Sequence, residues 1–287
     1  MEMVFDKGEV IFENDNVMLI KGDCFDVMKR MADAGKQVDN IICSPPYNSN
    51  RKAGKSGTNQ NRQCDTYHYI RYDVHVDNMT TEEYKTWSIN LFKLFDKILK
   101  PNGVILYNLS FGSESPSDDV IAIAGICEET CFEKVDRIVW KKPTAFPISS
   151  SPNKLTRICE DIYVMTRKTE RLTFKSNKKV TSLREKTGQK AYETLYNFIE
   201  AKNNDGSCPY NKATYSTELC TKLMDIYVQE DSIVLDPFSG SGTTIVACLN
   251  KGLKGLGIEL SENQCNFAKD RILKQIGDTN GNCQNTD

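Results

Sequence analysis

One segment carries most of the information about the fold: Val234-Leu235-Asp236-Pro237-Phe238-Ser239-Gly240-Ser241-Gly242-Thr243-Thr244. An apolar run of strand length ends there in an acidic residue, and a turn of small residues leads into a helix. Glycine lets the backbone approach a ligand closely, and the first turn of a helix offers free N–H groups. Glu259 ends the next apolar run, close to the spacing of roughly 20 residues at which an acid binds ribose hydroxyls. Strand, glycine turn, helix, strand and acid in this order predict a pocket for a nucleoside-bearing cofactor.

Apolar patterns on both sides of this segment alternate between strand and helix. The predicted strands cover 17–20, 38–43, 104–109, 134–140, 162–166, 232–235 and 256–259, and the predicted helices cover 26–34, 80–99, 119–129, 217–227, 243–251 and 262–275. Thr80 and Glu83 fit a capping box at the start of the second helix. This alternation predicts an α/β fold in which a mostly parallel sheet has helices on both faces.

A second motif, Ser44-Pro45-Pro46-Tyr47, follows the predicted strand at 38–43. Its two prolines end the strand and make a rigid loop at the carboxyl end, where open α/β sheets bind ligands. The Ser44 hydroxyl and the carbonyl of Pro45 or Pro46 are acceptors that can grip an exocyclic amino group and free its lone pair. Tyr47 offers a flat face on which a flipped base can stack. Taken alone, a rigid turn with a core tyrosine is the simpler interpretation.

The composition is that of a globular enzyme, with 39% hydrophobic and 26% charged residues among 287. No apolar run approaches the roughly 20 residues that cross a bilayer. Residues 1–14 lack the basic start and apolar core of a signal peptide. We therefore expect a cytoplasmic protein without a membrane partner. The 11 cysteines are irregularly spaced and there are only 2 histidines, so we expect reduced thiols and no metal site.

The two motifs together resemble motifs IV and I of the amino-methylating DNA methyltransferases. Those enzymes carry (Asp/Asn/Ser)-Pro-Pro-(Tyr/Phe/Trp) and Asp-Pro-Phe-x-Gly-Ser-Gly-Thr. The catalytic motif comes first here, as in the permuted β group of the family. Further similarities are Gly22-Asp23, Leu99-Lys100-Pro101-Asn102-Gly103, Ile138-Val139-Trp140-Lys141-Lys142-Pro143 and the acid Glu160. The resemblance extends from about residue 17 to residue 275.

The resemblance implies a Rossmann-like S-adenosylmethionine-dependent methyltransferase fold with circularly permuted motif order, and S-adenosylmethionine as cofactor. It implies methyl transfer to an amino group of a flipped base, directly and in line. The implied catalytic residues are Ser44, Pro45, Pro46 and Tyr47. The implied cofactor-binding residues are Asp23, Asp236, Pro237, Phe238, Ser239, Gly240, Ser241, Gly242, Thr243, Glu259, Ser216 and Thr217.

One segment departs from the family pattern. Relatives begin the helix before the cofactor strand with His-x-x-x-Phe-Pro, whereas this chain has Asn211-Lys212-Ala213-Thr214-Tyr215-Ser216. The histidine and the proline are both replaced. The segment lines the methionine end of the cofactor in the family, and Ser216 and Thr217 are expected to do so here.

Serine at the first position of the catalytic motif is typical of relatives that methylate cytosine N4, and aspartate of those that methylate adenine N6. We therefore predict a cytosine-N4-specific DNA methyltransferase, with adenine N6 as the alternative. An RNA or protein methyltransferase and an inactive DNA-binding relative are further alternatives. Cytosine C5 methylation is not expected, because it needs a cysteine nucleophile that usually follows a proline, and the pair Cys208-Pro209 has the opposite order.

Lys and Arg far outnumber Asp and Glu between residues 134 and 190, although the chain's net charge is only −2. A basic face suits a phosphate backbone, and an ordinary solvated surface is the alternative. We predict a catalytic domain at 1–166 and 207–276, a small basic target-recognition region at 167–206 and a disordered tail at 277–287. The predicted DNA contacts are Arg51, Lys52, Lys55, Lys141, Lys142, Lys175, Lys178, Lys179 and Arg184. The implied partner is double-stranded DNA, and the resemblance leaves open a homodimer and a cognate restriction endonuclease.

Overall fold

The computed structural model describes residues 9–48, 79–110, 116–145, 147–149, 152–206, 208–211 and 213–282, with side chains up to residue 277. Three of the predicted DNA contacts, Arg51, Lys52 and Lys55, lie outside these ranges. Within the described ranges, no helix is both long and apolar enough to cross a membrane.

The described residues form α-helices and β-strands in alternation, as the sequence predicted. The helices are α1 (Cys24–Asp33), α2 (Thr81–Ile98), α3 (Asp118–Glu129), α4 (Thr217–Tyr227), α5 (Thr243–Lys251) and α6 (Glu262–Asn282). The strands are β1 (Val10–Glu13), β2 (Val17–Lys21), β3 (Val38–Cys43), β4 (Leu99–Leu109), β5 (Phe132–Lys141), β6 (Cys159–Arg167), β7 (Val180–Leu183), β8 (Lys190–Tyr192), β9 (Phe198–Glu200), β10 (Ile233–Asp236) and β11 (Lys254–Glu259).

Nine of these strands form one mixed sheet in the order β1-β2-β11-β10-β3-β4-β6-β5-β9. The neighbours from β2 to β4 run parallel, whereas β6 is antiparallel to both β4 and β5. The mostly parallel sheet predicted from the sequence is therefore confirmed.

The middle of the sheet is the point where the strand order reverses. From β10 the chain continues outward to β11, whereas from β3 it continues in the opposite direction to β4. Val234 of β10 pairs with Asn40 of β3, and Leu235 pairs with Ile41. This register brings Asp236 and Ser44 to the same carboxyl edge, and a ligand crevice is expected outside such a reversal.

Each face of the sheet buries one apolar layer, because alternate strand residues point to opposite faces. On β10, Leu235 packs in the layer covered by α1, α2 and α3. Its neighbour Val234 packs in the layer covered by α4, α5 and α6. The strand ends are therefore held from both sides, which fixes the loops that follow them.

The start of α2 was predicted correctly, whereas the end of α6 was not. The capping box of α2 is present as predicted, since Thr80 and Glu83 each accept from the other's backbone N–H. In contrast, α6 extends to Asn282, so residues 277–282 are helical rather than part of a disordered tail. Ile276, just past the predicted end of the helix, packs against the apolar layer under α6.

The predicted insert at 167–206 is not one separate unit. Its last strand, β9, pairs in parallel with β5 and places Ile199 in the core. Its first residue, Arg167, donates to the carbonyl oxygen of Leu99 at 2.7 Å and so belongs to the main domain. The hairpin of β7 and β8 stands apart from the large sheet and forms a second sheet of two strands.

Candidate active site

A cleft with about 930 Å³ of space opens at the carboxyl edge of the central strands. It is lined by Gly22, Asp23, Cys24, Phe25, Ser44, Pro46, Trp87, Asn211, Ala213, Thr214, Tyr215, Pro237, Phe238, Ser239, Gly240, Ser241, Thr243, Glu259, Leu260, Ser261 and Gln264. Residues of both sequence motifs therefore share one cleft, although almost 200 positions separate them in the chain.

The turn between β10 and α5 depends on glycine. Gly242 caps α5 with a φ of 77°, which a residue with a Cβ adopts only at a cost. A Cβ at this position would also lie 2.9 Å from the Cβ of Ala268 in α6. Gly257 of β11 has a different constraint, since a Cβ there would lie 2.6 Å from the Ser239 hydroxyl. Both glycines let the turn lie close to its neighbours.

Asp236 is buried beneath this turn and holds it in place. Its Oδ2 accepts from the Tyr215 hydroxyl at 2.8 Å and from the Thr244 hydroxyl at 2.6 Å. Its Oδ1 accepts from the backbone N–H of Phe238 at 3.0 Å. Burial raises the pKa of Asp236 to about 6, against the three hydrogen bonds that favour its charged form. The sequence predicted that Asp236 binds cofactor, but it does not line the cleft, because its carboxylate is committed to these internal partners.

Two further acids with a predicted cofactor role lie on the cleft wall. Glu259 accepts from the backbone N–H of Gly240 and of Ser261, each at 2.8 Å and each through a different oxygen. A carboxylate oxygen has two acceptor lone pairs, so one that holds a backbone amide can also accept from a ribose hydroxyl. Asp23 accepts from the N–H of Phe25 at 2.8 Å and caps α1, which holds it at the edge of the cleft.

The cleft fits S-adenosylmethionine in its chemistry. The rings of Phe25 and Phe238 each lie 5.8 Å from the ring of Trp87, and together they give the cleft an aromatic surface. The Ser239 hydroxyl is buried and has no hydrogen-bond partner among the described residues. A nucleoside presents hydroxyl groups, amino groups and a flat base. The cleft offers acids for the hydroxyl and amino groups, aromatic surface for the base and one unpaired hydroxyl.

The Ser-Pro-Pro-Tyr loop follows β3 directly. Ser44 and Pro46 line the cleft, whereas Pro45 is buried and Tyr47 packs against the core. The Ser44 and Tyr47 hydroxyl oxygens are 2.7 Å apart. The Pro46 carbonyl accepts from the Tyr84 hydroxyl at 2.8 Å. The first bond closes the loop on itself, and the second ties it to α2.

Two predicted cofactor residues belong elsewhere. The Ser216 hydroxyl caps α4, accepting from the N–H of Leu219 at 3.2 Å and donating to the carbonyl of Lys202 at 2.9 Å. Thr217 donates through its backbone and side chain to Asp205. Neither lies on the cleft wall, so the expectation for both is corrected. The residues just before them, 213–215, line the cleft instead, together with Asn211.

The predicted DNA contacts divide into two groups. Lys142 forms an ion pair with Glu160 and lies over the Trp140 ring, 4.7 Å from its centroid. Lys141 pairs with Glu200 at 2.5 Å. Both ammonium groups thus have acidic partners within the protein, which disfavours the role predicted for them. The other described members of the set, Lys175, Lys178, Lys179 and Arg184, lie before or on the hairpin of β7 and β8, with Lys178 half-buried and the others exposed.

Several side chains of the site had no assigned role in the sequence. Asn108 donates to the Tyr47 hydroxyl at 2.8 Å and to Glu160 at 3.1 Å. Trp87 lines the cleft from the interior of α2. Glu160 stood out only as part of a family pattern. Asn108 could have been predicted from the sequence, because it is a polar residue near the end of the apolar strand β4.

Comparison with known proteins agrees with this geometry. The family model for N6/N4 DNA methylases matches residues 38–270. The Type II methyltransferase M2.LlaDCHI of Lactococcus lactis subsp. cremoris is 23% identical over 266 residues, covering 92% of this chain and 91% of the relative. The Type II methyltransferase M.Cfr9I of Citrobacter freundii is 24% identical over 300 residues, covering 93% and 91%.

Solved structures share the fold. The PvuII DNA methyltransferase (cytosine-N4-specific) superposes with a TM-score of 0.64 at 14% identity, covering 93% of each chain. The complex of M1.HpyAVI with S-adenosylmethionine gives a TM-score of 0.56 at 20% identity, covering 89% of this chain and 98% of the other.

The fold is that of an S-adenosylmethionine-dependent methyltransferase. The chain belongs to the N6/N4 DNA methylase family, and its cofactor is S-adenosylmethionine. It is a DNA methyltransferase that modifies an exocyclic amino group.

Proposed function

We propose that this enzyme methylates the N4 amino group of cytosine in duplex DNA. The observation that supports this most directly is the Ser44 hydroxyl on the cleft wall, in the loop that follows β3. A neutral hydroxyl at this position is typical of the cytosine-N4 enzymes in the family.

The loop provides two acceptors for the two N–H bonds of the target amine. The Ser44 hydroxyl is one of them. The second is a backbone carbonyl of the same loop, that of Pro45 or of Pro46, and the Pro46 oxygen keeps one lone pair although it accepts from the Tyr84 hydroxyl at 2.8 Å. Two acceptors held rigidly pull the nitrogen toward tetrahedral geometry and free its lone pair, so that catalysis is mainly positioning.

S-adenosylmethionine supplies the electrophilic methyl group. The residues that would hold it are Glu259 and Asp23 for hydroxyl and amino groups, and the backbone of the turn at 238–243 for its remaining polar groups. Phe25, Trp87 and Phe238 exclude water from the base. The same turn lies opposite Ser44, so cofactor and target are brought to one cleft.

The hairpin of β7 and β8 is the proposed site of DNA recognition. It carries Arg184 at its turn and follows Lys178 and Lys179. Tyr192, 53% exposed, adds an aromatic ring to the same element. A two-stranded ribbon fits the major groove, where Arg and Lys read guanine edges or contact phosphates.

The two Type II relatives support a short, defined recognition sequence. A homodimer and a cognate restriction endonuclease stay predictions for this chain. Sedimentation of the purified protein with and without duplex DNA tests the first of these.

Nucleoside mass spectrometry of duplex DNA tests the proposed function. DNA of varied sequence is incubated with the enzyme and S-adenosylmethionine, and Ser44→Ala serves as the matched control. N4-methylcytosine with wild type alone is the expected result. N6-methyladenine would contradict the base assignment while retaining the class of enzyme. Activity on RNA or protein in place of DNA would contradict the substrate.

A further inference from the structure

A hydrogen-bonded network lies behind the catalytic loop and reaches a carboxylate on another strand. The Ser44 and Tyr47 hydroxyls are 2.7 Å apart, and the Tyr47 hydroxyl donates to Glu160 at 3.2 Å. Asn108 donates to the Tyr47 oxygen at 2.8 Å and to Glu160 at 3.1 Å. Lys142 forms an ion pair with the other oxygen of Glu160. The loop after β3 is thereby joined to β4, to β6 and to the residue that follows β5.

Donor and acceptor rules fix the direction of this network. The Glu160 carboxylate, held in its ion pair with Lys142, accepts hydrogen bonds, so the single proton of the Tyr47 hydroxyl points to it. Asn108 contacts two oxygens that need a donor, so its amide nitrogen faces them. The Ser44 hydroxyl must then donate its proton to Tyr47. Its lone pairs remain for a group in the cleft.

The direction of the Ser44 proton has a chemical consequence. A serine hydroxyl carries no charge and is a weaker acceptor than a carboxylate. A hydroxyl that donates to a chain ending in an anion gains acceptor strength, because hydrogen bonds in a chain polarise one another. The nearest carboxylate in the network, Glu160, is half-buried with 15% of its side chain exposed, so solvent screens it little.

We propose that Glu160, acting through the Tyr47 hydroxyl, is a positioning residue that makes Ser44 an acceptor toward the target amine. The inference rests on the proposed function, in which Ser44 grips that amine. It assigns Tyr47 a role for its hydroxyl in addition to the stacking role of its ring. Lys142 and Asn108 hold Glu160 and Tyr47 in place and act one step further from the base.

Two conservative variants test the network. Tyr47→Phe keeps the ring and removes the hydroxyl, and Glu160→Gln keeps the shape and removes the charge. Each is expected to lower the single-turnover rate of methyl transfer about tenfold, the effect of one well-placed hydrogen bond. Dissociation constants for S-adenosylmethionine and for DNA are expected to stay within about twofold of wild type. The combined variant should be no slower than either single one, because both interrupt one pathway.

The control is Tyr163→Phe, which removes a hydroxyl from the same strand as Glu160 but from the other face of the sheet. Its rate is expected to match wild type. Each variant is also combined with Ser44→Ala. In that background neither Tyr47→Phe nor Glu160→Gln is expected to lower the rate further. If Tyr47→Phe folds poorly, as judged by thermal unfolding, Glu160→Gln carries the test.

The outcomes separate this inference from the proposed function. A strong loss in Ser44→Ala with wild-type rates in Tyr47→Phe and Glu160→Gln would overturn the network and leave the role of Ser44 intact. Additive losses, or a loss of cofactor binding in parallel with the rate, would show ordinary structural support and also overturn it. A wild-type rate in Ser44→Ala would remove the proposed role of Ser44 and the inference together.

Discussion

The Tyr215 hydroxyl donates a hydrogen bond of 2.8 Å to the carboxylate of Asp236, beneath the turn that faces the cofactor cleft. Tyr215 itself lines the cleft, and Asp236 lies behind it. The turn at 238–243 therefore rests on a buried anion whose charge is held by a tyrosine from the preceding loop. Relatives with phenylalanine in this position lack that hydroxyl.

Tyr215→Phe should destabilise the protein and weaken cofactor binding. A hydrogen bond to a buried charged group contributes about 1.5–3 kcal/mol, so the free energy of unfolding should fall by an amount of that order. The pKa of Asp236 should rise further, because the variant removes one of the bonds that favour its charged form. Chemical denaturation and a cofactor titration measure the two effects. Tyr227→Phe, at the end of α4, is the control, and equal effects in both variants would contradict the role of Tyr215.

Asp236 predicts a pH dependence of stability. Its pKa rises from an ordinary 3.8 to about 6 on folding, so the folded protein holds this proton more tightly than the unfolded chain does. The contribution of Asp236 to stability is then most favourable in acid and declines as the pH rises from about 4 to about 6. A rise of two units corresponds to about 3 kcal/mol.

The pH prediction is measured as a difference between two proteins. Asp236→Asn cannot titrate, so the free energy of unfolding of wild type minus that of Asp236→Asn should fall between pH 4 and pH 6 and level off above. Other titrating groups cancel in this difference. A difference that stays constant, or that rises with pH, would show that Asp236 is not held in the way described.

Ser44→Ala should abolish most methyl transfer while cofactor binding remains. Loss of one acceptor that acts in the transition state lowers the rate by about 100-fold or more. The Ser44 side chain lies on the cleft wall in the loop after β3 and not in the turn after β10. Single-turnover methylation and a cofactor titration separate the effects. Ser232→Ala, at the other end of β10, is the control, and parallel loss of rate and affinity in Ser44→Ala would argue against a catalytic role.

Gly257→Ala should weaken S-adenosylmethionine binding. The added Cβ would lie 2.6 Å from the Ser239 hydroxyl and 3.0 Å from its Cβ, so the turn must move. Overpacking of this kind costs about 1–3 kcal/mol. Gly255→Ala is a matched control on the same strand, since its Cβ would meet Cys248 of α5 at 3.0 Å rather than the turn. We expect both variants to lose stability and only Gly257→Ala to lose affinity, and an equal loss of affinity would contradict the assignment.

Reversing charge at Lys178 and Lys179 should weaken DNA binding and reduce its salt dependence. Removing the cation that neutralises one phosphate lowers the slope of log affinity against log salt by about 0.9. The double variant Lys178→Glu/Lys179→Glu is compared with the double variant Lys97→Glu/Lys254→Glu. The second changes the net charge by the same amount, at exposed positions away from the hairpin. Binding measured over a range of salt should show the reduced slope only in the first pair. Equal slopes in both pairs would place the DNA-binding surface elsewhere.

The fold was predictable to a large extent from local patterns. Apolar runs such as 38–43 and 233–236 are long enough to identify buried strands, and the capping box at Thr80 marks the start of α2. The short strands β1, β7, β8 and β9 were missed. Each has only three or four residues and is largely exposed or half-buried, so its apolar pattern is weak.

The parts of the site that could be predicted are those in which one continuous segment supplies both the backbone turn and the side chains that line the cleft. The turn at 237–243 and the loop at 44–47 belong to this class. Ser216 shows the opposite case, because its hydroxyl caps a helix beside the cleft-lining segment and local sequence does not tell which way it points. Asp236 was predicted to bind the cofactor, yet its carboxylate faces inward.

The sequence by itself determined the alternation of strands and helices, the two motifs and their permuted order, because these depend on residues adjacent in the chain. Only the tertiary structure decided which side chains meet. Tyr47, Asn108 and Glu160 come from three separate segments and converge because β3, β4 and β6 are neighbours in the sheet. Lys142 was predicted to contact DNA and instead pairs with Glu160, because the antiparallel pairing of β5 and β6 sets their ends side by side. Hydrogen bonds and ion pairs act over a few ångströms, so their partners are fixed by strand register rather than by sequence distance.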